Sequence, residues 1–153
     1  MTAKRSAGIL LYRNPHRPEV LLGHMGGPFF SRKDDGAWTI PKGEYTDDET
    51  PQEAARREFV EELGIALPPG DLRPLGEIRQ SGGKVVTAWA LLGDVDLSTF
   101  QPGTFEMEWP PRSGRRQEFP ELDRVAWFDI ATARSKVVKA QSVLMDRLVE
   151  LLD

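Results

Sequence analysis

Apolar residues form short runs along the first half of the chain, separated by residues that favour turns. Residues 4–13 and 19–24 are the two clearest runs, and Asn14, Pro15 and Pro18 lie between them. This pattern predicts a hairpin of two strands. The first run is apolar along most of its length, so we expect it to lie in the interior of a sheet.

Five further segments have the length and composition of strands. They cover residues 37–40, 72–79, 84–92, 100–109 and 124–129. The turn residues Gln-Ser-Gly-Gly separate the second and third of these segments, which predicts another hairpin. In the fourth, Phe105, Met107 and Trp109 alternate with glutamates, which is typical of a half-buried strand.

Two stretches have helical spacing instead. Residues 137–152 predict an amphipathic helix at the end of the chain. Residues 51–63 predict a helix in the middle of the chain, with Ala55, Phe59 and Leu63 as its apolar stripe. Strands with one helix mid-chain and one at the end indicate the α/β class, with a central mixed β-sheet in an α/β/α sandwich.

The middle helix has clear signals at both ends. Thr50 can cap the first turn, Pro51 suits the first helical position, and Glu53 can close a capping box. Gly64 can adopt the left-handed conformation that ends a helix. These signals predict a helix whose limits are set by local sequence.

Three acidic residues, Glu58, Glu61 and Glu62, project from this helix on the side opposite the apolar stripe. Carboxylates this close repel one another, and none of the three is followed by a Lys or Arg at i+4. A divalent cation would compensate the repulsion, and hard oxygen ligands suit Mg²⁺ or Mn²⁺. A solvated acidic helix face is the alternative interpretation.

Composition narrows the possible functions. The 153 residues are enough for a single domain, taken as residues 1–153, and the formal net charge is −4. An acidic chain argues against binding to a nucleic acid polymer or to a membrane surface. There is no cysteine and there are only two histidines, which excludes disulfides and thiolate sites. The N-terminal stretch does not resemble a signal peptide, so we expect a cytoplasmic protein.

The glutamates belong to a longer pattern between residues 43 and 65. It reads Gly43, five residues, Glu49, seven residues, Arg57-Glu58, two residues, Glu61-Glu62, one residue, Gly64 and an aliphatic residue. In this pattern the chain resembles the Nudix hydrolases, of which MutT-like pyrophosphohydrolases are members, and no position of the motif departs from the family pattern. The resemblance implies the Nudix fold.

The resemblance also implies a reaction. Nudix hydrolases cleave the diphosphate linkage of nucleoside diphosphate-linked compounds with Mg²⁺ or Mn²⁺. We expect a small phosphorylated substrate, most simply a (deoxy)nucleoside triphosphate or a dinucleoside polyphosphate. A Nudix-fold domain that senses a nucleotide without turnover is the alternative. A homodimer is our expectation for a small enzyme of this kind.

Roles for individual residues follow from the same resemblance. The metal ligands it implies are Glu58, Glu61, Glu62, the backbone carbonyl of Lys42, and Glu121. Arg57 is expected to orient the glutamates and to pair with Glu49. The general base is expected to be a glutamate of the motif or Glu121, with Glu118 as a substitute for the latter. Gly43 would let the backbone approach an ion.

The sequence leaves two interpretations for the role of each of two charged loops and of one histidine. In residues 26–36, Phe29 and Phe30 can stack on a base, and Arg32 and Lys33 can meet phosphate, as the side chain of Lys42 can. The alternative is that the phenylalanines pack and the cations are solvated. Residues 110–120 carry Arg112, Arg115 and Arg116, which suit a phosphate-rich substrate or simply a solvated loop. His24 is expected to be structural or to touch substrate.

Overall fold

A computed structural model describes residues 4–153; Met1, Thr2 and Ala3 of the predicted domain lie outside the description. The described residues contain nine strands and three helices. The strands are β1 (Arg5–Arg13), β2 (Glu19–Met25), β3 (Trp38–Thr39), β4 (Lys42–Glu44), β5 (Arg73–Arg79), β6 (Val85–Leu92), β7 (Thr104–Glu108), β8 (Arg116–Pro120) and β9 (Leu122–Asp129). The helices are α1 (Pro51–Leu63), α2 (Ile130–Lys136) and α3 (Ser142–Leu152).

Strand β1 is the centre of the larger sheet, in which the strands follow the order β3-β2-β1-β6-β5. It runs parallel to β6, and its last two residues pair antiparallel with the start of β2, where Tyr12 lies opposite Val20. Along its first half, β4 takes the place of β2 on the same edge, and Ala7 pairs with Gly43. The sheet is therefore mixed, and the motif predicted to bind metal begins on a strand next to its centre.

Alternate residues of β1 enter two separate cores, which is why nearly the whole strand is apolar. Leu10 and Tyr12 pack on one face with residues from α2 and α3. Ile9 and Leu11 pack on the other face with residues from α1, including Phe59. Helices cover both faces of one sheet, so the α/β/α sandwich predicted from the sequence is confirmed.

Helix α1 begins and ends where the sequence predicts. Thr50 Oγ1 accepts a hydrogen bond from Glu53 N, and Glu53 Oε1 accepts one from Thr50 N, at 3.2 and 3.0 Å. At the other end Gly64 has φ 63° and its N–H donates to the carbonyl of Val60. The capping box and the left-handed stop fix the limits of α1.

The predicted helix over residues 137–152 is wrong in its first part. Helix α3 begins at Ser142, and a separate helix, α2, precedes it with Asp129 as N-cap. Residues 137 and 138 are extended, because Val138 N donates to the carbonyl of Trp38 and ties this segment to β3. Within the described residues, none of the helices combines the length and apolarity required to cross a bilayer.

Residues 110–120 were expected to form a loop, but their second half is strand β8. It pairs antiparallel with β7 in a separate two-stranded sheet, from Thr104 opposite Pro120 to Glu108 opposite Arg116. The predicted strand over 100–109 is correspondingly shorter. Charged residues can occupy both strands because this hairpin stands largely in solvent.

Gln141 joins three parts of the structure from inside the core. Its Oε1 accepts from Ile40 N at 3.0 Å, and its Nε2 donates to Thr39 Oγ1 at 2.8 Å and to Gln80 Oε1 at 2.9 Å. The side chain is fully buried. It therefore fixes β3 and the β5–β6 turn relative to the start of α3.

We predict that Gln141→Leu destabilises the protein by about 2 kcal/mol, because the buried Ile40 N–H loses its acceptor. Urea unfolding followed by circular dichroism measures the change. Gln52→Leu, at an exposed position of α1, is the matched control and should shift the free energy of unfolding by less than about 0.5 kcal/mol. Equal effects of the two substitutions would contradict the role given to Gln141.

Candidate active site

A cavity of about 460 Å³ lies between β4, α1 and the base of the β7–β8 hairpin. Its charged lining residues are five glutamates and two lysines: Glu44, Glu58, Glu61, Glu62, Glu121, Lys42 and Lys84. Ser6, Gly43, Gly103 and Thr104 complete the lining. The structure thus brings together all the carboxylates of the predicted metal site, with Lys42 beside them.

The backbone of Gly43 lies directly against the carboxyl group of Glu58. A Cβ at position 43 would stand 2.0 Å from Glu58 Cδ and 2.1 Å from its Oε2, which no real side chain can do. Pairing of Gly43 with Ala7 of β1 holds this strand in place. Glycine leaves room here for the carboxyl group of Glu58, which is buried against the strand.

Arg57 binds three carboxylates at once. Its Nε and Nη2 donate to the two oxygens of Glu49 at 3.1 and 2.5 Å, and its Nη1 donates to Glu58 Oε1 at 2.7 Å and to Glu61 Oε2 at 3.0 Å. These bonds, first of all the pair with Glu49, raise the pKa of Arg57 and lower that of Glu49. The expected pairing is present; its role in orienting ligands stays a prediction.

Negative charge in the cavity is only partly compensated. Burial, together with the nearby carboxylates of Glu121 and Glu58, raises the pKa of Glu62 to about 8. Burial also raises the pKa of Glu58 and of Glu121. The pKa of Lys42 is lowered by burial and by Lys84, although Glu62 opposes the shift. Such a cluster favours binding of a cation, which would restore the ionised carboxylates.

A divalent cation is compatible with these residues. Across residues 4–153, no three acidic or histidine side chains are arranged to hold one ion as they stand. Arg57 accounts for part of this, since it draws Glu58 and Glu61 to one nitrogen. The donor set consists of hard oxygens, and the close contact at Gly43 leaves the backbone and Glu58 side by side. Both features suit Mg²⁺ or Mn²⁺.

Glu121 forms a one-residue connection between β8 and β9 and is fixed through its backbone. Its N–H donates to the carbonyl of Gly103 at 2.8 Å, and its carbonyl accepts from Gly26 N at 3.0 Å. Glu121 lines the cavity, and its carboxylate is close enough to Glu62 to raise the pKa of that residue. Glu118, the substitute considered from the sequence, lies in β8 opposite Glu106 and does not line the cavity.

The loop of residues 26–36 contacts the β7–β8 hairpin through its first residues, where Gly27 lies beside the ring of Phe105. Phe29 is 58% exposed and meets Trp109 edge-on, with ring centroids 5.4 Å apart. Lys33 Nζ lies 5.7 Å from the ring centroid of Phe30. None of Phe29, Phe30, Arg32 and Lys33 lines the acidic cavity, and neither do Arg112, Arg115 and Arg116. Substrate contact by these loops stays a prediction.

His24 is buried and both of its ring nitrogens are engaged. Nδ1 lies 2.8 Å from Asp123 Oδ1, and Nε2 lies 2.6 Å from the carbonyl oxygen of Lys33. The ring also meets Trp38 edge-on. His24 therefore has the structural role that the sequence left open, joining the loop of residues 26–36 to β9.

Lys84 is a cavity residue that the sequence did not reveal. The sequence predicts only that a strand begins at this residue. Its position beside the glutamates results from the pairing of β6 with β1. The preceding Gly82-Gly83 pair predicts a turn. The residues around Lys84, however, give no sign that this turn lies close to the glutamates of α1.

Comparison with known proteins identifies the family. The sequence profile of the NUDIX domain matches residues 2–148. The chain belongs to the Nudix hydrolase family. The resemblance recognised in residues 43–65 is thereby confirmed. No match was found among curated proteins by sequence.

Solved structures show the same Nudix fold. A C. elegans Ap4A hydrolase, solved as a binary complex, has 22% identity and a TM-score of 0.64 over 98% of both chains. The NUDIX domain of Shewanella oneidensis NrtR, solved with ADP ribose, has 18% identity and a TM-score of 0.64 over 100% of this chain and 90% of that one. A MutT structure from work on Aliivibrio salmonicida and Vibrio cholerae has 16% identity and a TM-score of 0.57 over 98% of both chains.

The pKa of Glu62 predicts how the metal-free Nudix protein responds to pH. Its folded-state pKa of about 8 lies above the ordinary value of 4.5, so the folded state binds more protons than the unfolded state between these values. The contribution of Glu62 to stability should therefore fall as pH rises from 4.5 to about 8. We expect the melting temperature in EDTA to fall less steeply for Glu62→Gln than for the wild type. Identical slopes would contradict this assignment.

Proposed function

We propose that this Nudix protein is a Mg²⁺-dependent hydrolase that cleaves a diphosphate linkage in a nucleoside polyphosphate. The observation that carries the proposal is the convergence of Glu58, Glu61, Glu62 and Glu121 on one cavity that also holds two lysines. Carboxylates suit a cation, and the lysines suit phosphate oxygens. Recognition of a metal-bound polyphosphate requires both the glutamates and the lysines.

The chain supplies five oxygen groups for the ion. We assign Glu58 and Glu62 as its ligands, with Glu61, Glu121 and the backbone carbonyl of Lys42 as the further ones. Bound Mg²⁺ would neutralise phosphate charge and lower the pKa of a coordinated water. Arg57 would hold the glutamates in position through its bonds to Glu49 and Glu58.

Positioning and charge neutralisation are most of what phosphoryl transfer requires. The Lys42 ammonium group faces Glu62, Glu44 and Glu121 and would hold an oxygen of the substrate diphosphate. The proton of the attacking water needs a carboxylate acceptor, and Glu62 and Glu121 both line the cavity. A general base of this kind works best with a pKa near the working pH, which burial favours at both residues.

A nucleotide sensor is the second candidate, since the NrtR domain was solved with ADP ribose. Binding without turnover needs no cluster of carboxylates around a cation. All the glutamates of the motif are present here, and they line one cavity. This supports the hydrolase over the sensor.

The first test is a substrate screen in Mg²⁺, read as phosphate released after coupling to a phosphatase. We expect turnover of a nucleoside triphosphate or dinucleoside polyphosphate, loss of activity in EDTA, and a fall of about 100-fold or more in Glu62→Gln. Glu150→Gln, exposed on α3, is the control and should keep wild-type activity. Nucleotide binding without any turnover would replace the hydrolase with a sensor.

A further inference from the structure

Lys84 is held in place by a turn of defined geometry. Gly82 and Gly83 both have positive φ, 81° and 78°, which favours glycine at these positions. Gln80 N donates to the carbonyl of Lys84 at 2.8 Å, and Gly83 N donates to that of Gln80 at 3.2 Å. The amide of Gln141 anchors the turn from the core. The start of β6 is thus fixed where Lys84 leaves the turn.

The two lysines of the cavity come from opposite edges of β1. Lys42 belongs to β4, and Lys84 immediately precedes β6. Two interstrand spacings, about 10 Å, separate β4 from β6, because β1 lies between them. Ser6 marks the middle of this span and pairs with Glu44 on one edge and Val86 on the other. The ammonium groups therefore approach a bound molecule from different sides.

The lysines also differ in their partners. Lys42 faces three glutamates of the cavity. Lys84 is exposed, and its ammonium lies within 4.0 Å of no carboxylate in residues 4–153. With no carboxylate of the described residues bound to it, the Lys84 ammonium group keeps its hydrogen-bond donors for another partner. It is well placed to meet an anion that extends out of the cavity.

We propose that Lys84 binds a phosphate beyond the two joined by the cleaved bond, which makes the substrate a nucleoside polyphosphate with three or more consecutive phosphates. This rests on the proposed function. The two phosphates at the cleaved bond are held by the glutamate side of the cavity and by Lys42. In a nucleoside diphosphate sugar, the next group along is a neutral ribose, which offers Lys84 no charge. In a longer chain it is another phosphate.

The test compares Lys84→Met with the wild type on ATP, diadenosine tetraphosphate and ADP-ribose. We expect KM for the first two to rise about 10-fold with kcat little changed, because a charged hydrogen bond to substrate is lost. The constant for ADP-ribose, measured as KM or as an inhibition constant, should not change. Lys84→Arg should restore most of the affinity.

Lys139→Met is the matched control, since it removes an exposed lysine on the other side of the same turn, outside the acidic cavity. It should leave all three constants unchanged. An equal loss for ADP-ribose and ATP, or no loss for either, in Lys84→Met would overturn the inference. Calorimetric binding of the same nucleotides in Mg²⁺ keeps the comparison valid without turnover. Absence of turnover in the wild type would reject the proposed function alone.

Discussion

Contact between the backbone of Gly43 and the carboxyl group of Glu58 is the constraint on which the site depends. It places the carboxyl group of Glu58 against β4, and any side chain at position 43 would displace that carboxyl group. Both elements are anchored elsewhere, β4 by its pairing with β1 and α1 by Phe59 in the core. The position of Glu58 is therefore determined by the packing of the sheet and helix rather than by a loop.

Charge is distributed unevenly around that contact. Helix α1 provides its own cation, Arg57, which binds Glu49, Glu58 and Glu61. Glu62 lines the cavity without a bond to Arg57, and burial together with the neighbouring carboxylates raises its pKa. A protein that needed only stability would gain by replacing such a buried acid with an apolar residue. The presence of this acid is consistent with a site in which a bound cation and an anionic substrate neutralise the remaining charge.

The sequence predicted best the features that depend on residues close together along the chain. Residues 50–64 could be read correctly because the caps and the apolar stripe lie within one helix. It failed at residues 137–141, where apolar spacing continues but pairing with Trp38 keeps the first of them extended. Strand β8 was missed because its pairing with β7, not its polarity pattern, makes it a strand. Lys84 was missed for the same reason, because it reaches the site only through the parallel pairing of β6 with β1.

Glu121 lies at a corner between two sheets, with its backbone held by Gly26 and Gly103. The hairpin grows out of this corner, and its tip at residues 110–115 is fully exposed. Changes of length at an exposed tip cost little entropy and disturb little packing. A change in the length or sequence of the tip can therefore leave Glu121 in its place in the cavity.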